Sequence, residues 1–186
     1  MAQSALLVMD VQNGIVSRID GDALLPVVAR AIDAARAAEL PVIYVRAAFR
    51  PGFPELSPSN QAFAAIASAG AASGFTVDDE ATQVCAAVAP HDGDVVVIKK
   101  RFSAFAGSDL DVVLRSLQVD SLVLTGVSTS GVVLSTVRAA SDLDFGLAVL
   151  SDACADADPE VHRVLLEKVF PRQSAVLTTD EWARGL

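Results

Sequence analysis

Residues 126–136 read Gly-Val-Ser-Thr-Ser-Gly-Val-Val-Leu-Ser-Thr, and this stretch joins a predicted strand to a predicted helix. The apolar residues 121–125 before it indicate a buried strand, and residues 132–145 after it have a helical pattern. A strand that turns directly into a helix leaves backbone N–H groups without intrahelical partners, and the helix dipole adds positive potential there. The sequence therefore predicts an α/β fold with an anion- or oxyanion-binding turn at this point.

Apolar runs like the one before this turn recur along the chain, and they lack the alternation of half-buried strands. Such runs are typical of parallel strands covered on both faces. They are residues 5–9, 42–45, 95–98, 121–125, 147–150 and 175–177. Helical patterns lie between them, at residues 24–40, 109–117, 132–145 and 160–170. This alternation predicts a Rossmann-like three-layer α/β/α sandwich around a mostly parallel six-stranded sheet.

The helix boundaries are predicted from capping residues. Ser108 is a good N-cap for the helix that follows it, and Gly146 is a plausible C-terminal stop for the helix that begins near the turn. Asp158 and Pro159 are expected to open the last long helix, with the proline in its first turn.

Two stretches depart from the rhythm of strands and helices. Residues 50–60 contain three prolines and a glycine, so they are expected to form a loop, and residues 70–79 are also irregular. Long loops in such sheets often lie near the ligand, although a purely structural excursion explains them equally well.

Length, composition and charge limit the class of protein. The 186 residues suit one domain spanning residues 1–186, and a hydrophobic share of 52% is enough for a sizeable core. The net charge of −9 argues against a nucleic-acid or anionic-membrane partner and leaves a small molecule as the expected one. Cys85 and Cys154 suit two reduced, buried thiols. A cytoplasmic protein is expected, because neither a secretion signal nor an apolar run of ~20 residues is seen.

Three blocks of the chain together resemble the isochorismatase-like hydrolases, also called the cysteine hydrolase superfamily. The turn is similar to the family motif Gly-Val-x-Thr-x-x-Cys-Val-x-x-Thr, which it matches at positions 126, 127, 129, 133 and 136. Residues 6–12, Leu-Leu-Val-Met-Asp-Val-Gln, resemble the block that supplies the family's acidic residue. Residues 97–105, Val-Ile-Lys-Lys-Arg-Phe-Ser-Ala-Phe, resemble the block that supplies its lysine. The resemblance implies a hydrolase without a cofactor that forms a homo-oligomer, a dimer or tetramer.

Asp10 and Lys99 are the expected catalytic residues. Each ends a predicted parallel strand, and ligands of open parallel sheets bind beyond the carboxyl ends of the strands. Asp10 follows four apolar residues, so desolvation should favour its neutral acid while a nearby cation should favour the carboxylate. From spacing alone, Asp10 could equally cap a turn and Lys99 could equally be a solvated lysine at a strand end. The family resemblance favours a catalytic role for both residues and selects Lys99 over Lys100.

Val132 stands where the family motif has its nucleophilic cysteine. Valine has no lone pair, so a covalent route is closed at this position. Cys154 belongs to a different block and does not replace the thiol. A serine nucleophile would need a base within hydrogen-bond reach, and His91 and His162 are expected to lie elsewhere. True isochorismatases resemble this chain in keeping the Asp and Lys while lacking the cysteine, and they cleave a vinyl ether.

Other side chains near these blocks are candidates for binding substrate or an oxyanion. They are Gln12, Ser128, Thr129, Gly131 and Phe105. For Gln12 the alternative is hydrogen bonding within the first turn, and Ser128 and Thr129 are also suited to shaping the turn, with Thr136 bonding the helix backbone. For Phe105, as for Phe49, Phe53 and Phe102, core packing competes with a place in the pocket wall.

The residues after the second strand suggest neither a metal site nor a clear anion site. The nicotinamidase branch of the family has an Asp/His cluster there, whereas residues 45–50 read Val-Arg-Ala-Ala-Phe-Arg, so no metal is expected. Arg46 or Arg50 could meet a substrate carboxylate as a bidentate donor, or be solvated or structural arginines.

Three functions fit these residues. The first is a cysteine-independent hydrolase of a small polar metabolite, with Asp10 as general acid or base, Lys99 as charge partner and turn amides near Val132 as oxyanion donors, as in vinyl-ether hydrolysis. The second is a catalytically lapsed protein that binds a small molecule on the same fold. The third is amide hydrolysis by water that Asp10 activates, which requires an ionised Asp10.

Overall fold

A computed structural model describes residues 3–19 and 21–186. The predicted domain, residues 1–186, also includes Met1, Ala2 and Asp20, which lie outside the described residues. The strands are β1 (Gln3–Met9), β2 (Val42–Ala47), β3 (Val95–Lys99), β4 (Val119–Val127), β5 (Gly146–Ala155) and β6 (Ala175–Leu177).

The helices connect these strands and follow the last one. The α-helices are α1 (Asn13–Val16), α2 (Gly21–Ala37), α3 (Ala64–Ala69), α4 (Leu110–Ser116), α5 (Leu134–Asp142), α6 (Pro159–Val164) and α7 (Thr179–Ala183). A π-helical turn, Thr129–Val133, leads into α5, and a second one, Leu165–Val169, continues α6. Short 3-10 helices lie at Gly70–Ser73, Glu80–Thr82, Ala86–Val88 and Phe170–Arg172.

The six strands form one sheet in the order β3-β2-β1-β4-β5-β6, and every neighbouring pair is parallel. The prediction of a Rossmann-like three-layer fold with a mostly parallel sheet is confirmed. The chain builds outward from β1 through β2 to β3 and then returns to the other side of β1 for β4. The strand order thus reverses between β1 and β4, where ligands of open α/β sheets bind.

Two apolar cores cover the two faces of the sheet. Alternate residues of β1, such as Leu6 and Val8, pack with α2, where Val28 and Ile32 are buried. The intervening residues of β1 pack on the opposite face with helices α4 and α5. Because both faces of the central strands are buried, these strands read as continuous apolar runs.

The predicted helix ends differ in part from the structure. Asp158 is the N-cap of α6, where its side chain accepts hydrogen bonds from two backbone N–H groups, and Pro159 opens the helix as predicted. Ser108 is not the N-cap of α4, which is Asp109, although the Ser108 hydroxyl accepts from the Leu110 N–H. Gly146 is not a helix stop, because α5 ends at Asp142 and Gly146 already begins β5.

The two predicted irregular stretches lie on one side of the sheet's carboxyl edge. Residues 50–60 contain no helix or strand, as predicted, whereas residues 70–79 include a short 3-10 helix. Phe49, Phe53 and Phe63 form a small separate apolar cluster there, with ring centroids about 6 Å apart. None of the helices in the described ranges, 3–19 and 21–186, is both long and apolar enough to cross a membrane.

Candidate active site

The carboxyl ends of β1, β3 and β4 surround a cavity of ≈ 290 Å³. Asp10 follows β1, Lys99 ends β3, and Val127 ends β4, so the three sequence blocks meet at one edge of the sheet. The volume is at the small end of the range of about 300–1,000 Å³ that is usual for ligand pockets. Its walls are Asp10, Ile15, Arg18, Ile19, Ala47, Ala62, Phe63, Ile66, Phe75, Lys99, Arg101, Phe102, Val127, Ser128, Gly131, Val132 and Ala157.

Asp10 and Lys99 form a buried ion pair in the cavity wall. The Lys99 Nζ lies 2.9 Å from Asp10 Oδ2, and the side chains are only 3% and 8% exposed. Lys99 also donates to the Arg101 carbonyl at 2.9 Å, which fixes the ammonium beside the carboxylate. The chain brings Asp10 to this position in a left-handed backbone conformation, φ 55°, with its N–H bonded to Val45 O.

The second carboxylate oxygen of Asp10 is left without a partner. Asp10 Oδ1 is buried and has no hydrogen-bond partner among the described residues. Burial raises the pKa of Asp10, and the neighbouring Lys99 and the backbone at Ala47 lower it only in part, so the net direction is upward. The arrangement therefore holds one oxygen on the lysine and leaves the other, buried beside the cavity that Asp10 lines, as the candidate to carry or accept a proton.

Glycines let the turn after β4 lie close to Asp10. Gly126 has φ 144°, and a Cβ there would lie 2.1 Å from the Met9 carbonyl, so a larger residue would push β4 away from β1. A Cβ on Gly131 would lie 2.5 Å from Ser128 Oγ. Ser128 caps the π-helical turn, where its hydroxyl accepts from the Gly131 N–H at 3.0 Å.

Two of the turn amides that the sequence suggested as oxyanion donors already have acceptors within the protein. The Gly131 N–H is shared between the hydroxyl and the carbonyl of Ser128, and the Ser130 N–H donates to Asp156 Oδ2 at 2.7 Å. The carboxylate of Asp156 is thus an anion from the protein itself that binds at this turn. A substrate oxyanion would have to compete with it at Ser130, so the structure gives these two amides a structural use.

Val132 lies in the cavity wall as the family motif requires of the nucleophile position. It is 2% exposed and packs in the core beneath the sheet edge. Its side chain offers no atom that could attack a substrate. Cys85 and Cys154 are free and buried, and burial raises the pKa of Cys154 to about 12, so neither replaces the missing thiol.

His162 lies closer to the turn than the sequence suggested. Its Nδ1 is 2.8 Å from Thr129 Oγ1, so a hydroxyl–imidazole pair joins α6 to the start of the turn. Thr129 is fully buried and is not among the residues that line the cavity, and its place in substrate binding stays a prediction. The distance of 33 residues between the two positions leaves no local signal in the sequence for this contact.

The burial of His162 beside Thr129 predicts a pH-dependent contribution to stability. Burial lowers the pKa of His162, although Asp156 opposes the shift. The unfolded chain then binds more protons than the folded one near pH 6.5, so this contribution is lost as pH falls. His162→Gln should reduce the pH dependence of the free energy of unfolding between about pH 5 and 7, by at most about 1.4 kcal/mol per pH unit. Urea unfolding across this range checks it, and an unchanged slope would contradict it.

Gln12 holds the backbone together and is not among the residues that line the cavity, and its contact with substrate stays a prediction. Its side chain is fully buried, accepts from the Ala47 N–H at 2.7 Å, and donates to the carbonyls of Ala47 and Thr82. These partners belong to β2 and to a distant 3-10 helix, not to the first turn. Once these bonds are made, the side-chain amide of Gln12 has no donor left to face the cavity.

The aromatic wall of the cavity differs from the one expected. Phe105 packs against Phe145 in the core, away from the cavity, so its expected contact with substrate is corrected to core packing. Phe102 lines the cavity and is joined there by Phe63 and Phe75, which the sequence analysis did not identify. Phe63 and Phe102 are in contact, with ring centroids 5.1 Å apart.

The loop that carries Phe102 is fastened to helix α5. The Ala104 N–H donates to Thr136 Oγ1 at 3.0 Å, so Thr136 bonds this loop and not its own helix, contrary to the sequence expectation. This contact links the lysine block to the block that contains Val132. The spacing of both blocks is thereby fixed relative to the cavity.

Arg46 and Arg50, for which the sequence left open a substrate contact or a structural role, bond to other protein groups. Arg46 donates to the carbonyls of Val77 and Thr82 and to the Gln83 side chain, outside the cavity wall. Arg50 pairs with Glu55 on the surface. Two other arginines, Arg18 and Arg101, line the cavity instead.

Sequence patterns offer little reason to select Arg18 and Arg101. Arg101 lies two residues after Lys99, and this closeness to the predicted catalytic lysine is the signal that could have drawn attention to it. Arg18 lies in an irregular connection between α1 and α2, and no pattern marks it.

No group of three or more His, Cys, Asp or Glu side chains in the described part of the chain could hold a metal ion.

Comparison with known proteins identifies the family of this chain. The family model described as the Isochorismatase domain matches residues 4–181. The isochorismatase family protein YwoC of Bacillus subtilis is 32% identical over 180 residues, which cover 97% of this chain and 92% of YwoC. The ureidoacrylate amidohydrolase RutB of Stutzerimonas stutzeri is 33% identical over 186 residues, covering 86% of this chain and 72% of RutB.

A solved structure of an isochorismatase family protein from Burkholderia thailandensis has the same arrangement of elements. It superposes with a TM-score of 0.82 at 30% sequence identity and covers 99% of this chain and 96% of that one. The similarity thus extends over nearly the whole of both chains.

Proposed function

We propose a cysteine-independent mechanism for this chain, which belongs to the isochorismatase family of hydrolases. Asp10 is the general acid or base, Lys99 is its charge partner, and the substrate is a small polar metabolite. The observation that carries the proposal is the buried Asp10–Lys99 pair, with Oδ1 unpartnered, in a cavity wall that also contains a valine at the nucleophile position.

Vinyl-ether hydrolysis is the reaction that these residues serve best. Asp10 Oδ1 would deliver its proton to the double-bond carbon, which leaves an oxocarbenium-like centre on the ether carbon. Water adds to that centre and loses a proton, and the resulting hemiketal separates into a carbonyl compound and an alcohol. No side chain needs to bond to the substrate, so Val132 does not block the route. The raised pKa of Asp10 supports the acid role.

Amide hydrolysis by Asp10-activated water is the second candidate, and the ion pair itself favours it. Lys99 at 2.9 Å stabilises the carboxylate, which is the form that accepts a proton from water. The relative RutB is named as an amidohydrolase. A third possibility, a binding protein without turnover, follows from the missing thiol alone.

The test is product formation from a mixed panel of isochorismate-like vinyl ethers and small amides, followed by mass spectrometry. We expect consumption of a vinyl ether with mass gain of one water across the products, and no covalent adduct on the intact protein. Turnover of amides alone would transfer the assignment to the second candidate. Saturable binding without product would overturn the proposal.

Restoring a thiol at position 132 should place a reactive group in the cavity. In Val132→Cys the new side chain would share the cavity wall with the Lys99 ammonium and lie at the start of a helix, and both lower a thiol pKa. Iodoacetamide should label this variant at least about tenfold faster than the wild type, whose two cysteines are buried. Peptide mass spectrometry locates the label, and equal labelling rates would show that position 132 is not accessible from the cavity.

Three broader features remain proposals. We propose that residues 1–186 form one domain, which the single sheet and the family match to residues 4–181 support. A cytoplasmic location and a homo-oligomer, dimer or tetramer, remain predictions from the sequence and the family resemblance.

A further inference from the structure

We infer that the cavity selects small monocarboxylates with a flat apolar body, and that Arg18 at its mouth binds the carboxylate. This inference rests on the proposed function, since it takes the same cavity as the substrate site, and it adds the chemical class of the substrate. The inference assigns a specificity role to Arg18, a residue that no sequence pattern marks.

The charge of the cavity wall opposes the charge of the whole chain. The charged wall residues are one carboxylate, Asp10, and three cations, Arg18, Lys99 and Arg101. The chain carries a net charge of −9. A cleft of one sign on a protein of the other focuses the local field and concentrates a ligand of opposite charge. The wall therefore attracts an anion even though the protein as a whole repels one.

Two of the three cations are already occupied. Lys99 is paired with Asp10 and donates to the Arg101 carbonyl. Arg101 donates to the carbonyls of Lys100 and Glu55, at 2.6 and 2.9 Å, and lies over the Phe63 ring. These contacts fix Arg101 in the cavity wall. Its charge adds to the positive potential of the cavity, while its N–H donors are used to hold the surrounding backbone.

Arg18 is the cation with donors to spare. Its side chain is exposed yet borders the cavity, and it makes no hydrogen bond or ion pair with the residues in 3–19 and 21–186. A guanidinium presents two parallel N–H groups that match a carboxylate in a bidentate pair. The guanidinium of Arg18, at the mouth of the cavity, can therefore bind one carboxylate of a ligand.

The rest of the wall fits an apolar, flat body. Phe63, Phe75 and Phe102 line it together with Ile15 and Ile66. Phe102 is 47% exposed although it is a large apolar side chain, and its ring stands against Phe63 at the cavity. An exposed aromatic ring in the same wall as a cation is suited to stacking a planar group while the cation holds the anionic end.

Calorimetric titration of the full-length chain with benzoate and with benzamide tests this inference. The two probes share shape and differ in charge. We expect benzoate to bind about tenfold tighter than benzamide, because a charge-assisted bidentate pair is lost in the amide. Arg18→Gln should remove most of that difference and leave benzamide affinity unchanged. Arg172→Gln, which removes an equally exposed charge outside the cavity wall, should preserve the difference.

Three outcomes would overturn the inference. They are equal affinity for the two probes, no saturable binding of benzoate, and a preference for benzoate that survives in Arg18→Gln with unchanged circular dichroism. The titration needs no turnover, so it separates the two proposals. Selective benzoate binding without hydrolysis of the substrate panel would reject the proposed function alone, and hydrolysis without charge selectivity would reject this inference alone.

Discussion

Asp10→Asn is expected to lower kcat/KM at least about hundredfold on the substrate that the panel identifies, the low end of what a positioned acid or base contributes. Asparagine keeps the shape of the side chain but cannot transfer a proton from Oδ1, the oxygen that has no partner within the protein. Steady-state kinetics with wild type and variant side by side measure the effect.

The matched control for Asp10→Asn is Asp142→Asn. Asp142 is exposed at the end of α5, so its replacement changes the net charge equally without touching the cavity. Thermal unfolding of both variants shows whether lost activity reflects lost structure. A folded Asp10→Asn variant with unchanged turnover would reject Asp10 as the proton-transfer residue.

Lys99→Met should destabilise the fold by about 3–5 kcal/mol near neutral pH, because it leaves a buried carboxylate without its partner. The loss should be smaller near pH 4. The folded-state pKa of Asp10 already lies above 3.8, its ordinary value, and removal of Lys99 raises it further. The folded chain then binds more protons than the unfolded one, so stability is retained at low pH and lost as pH rises from about 4 through the folded pKa.

Urea unfolding of wild type and Lys99→Met at several pH values measures this dependence. Lys168→Met is the control, since Lys168 is exposed on the turn that follows α6. A destabilisation of Lys99→Met that is equal at low and high pH would mean that Asp10 does not titrate in response to the lysine. The ion pair would then be a packing feature and not an electrostatic one.

The fold could be predicted because parallel strands that are buried on both faces appear in the sequence as continuous apolar runs. Each of the six predicted runs falls within an observed strand, and 175–177 coincides with β6. Helix ends were harder, since they depend on local backbone geometry: Ser108 bonds near a helix start without being its cap. Short helices such as α1 and α7 have too few turns to show a periodic pattern.

The candidate site could be predicted only in part. The positions of Asp10, Lys99 and Val132 follow from strand ends and the family resemblance, and the structure places all three in one cavity wall. The partners of polar side chains could not be read from sequence. Gln12 bonds to residues 35 and 70 positions away, and such contacts exist only once the sheet has formed.

The pH dependence of kcat/KM on the identified substrate tests the mechanism most directly. If Asp10 acts as an acid, the rate of wild type should fall as pH rises through an apparent pKa above 3.8, the ordinary value for aspartate, and Asp10→Asn should lack this step. A rate that rises with pH through the same region would contradict the acid role and show that Asp10 works as a base.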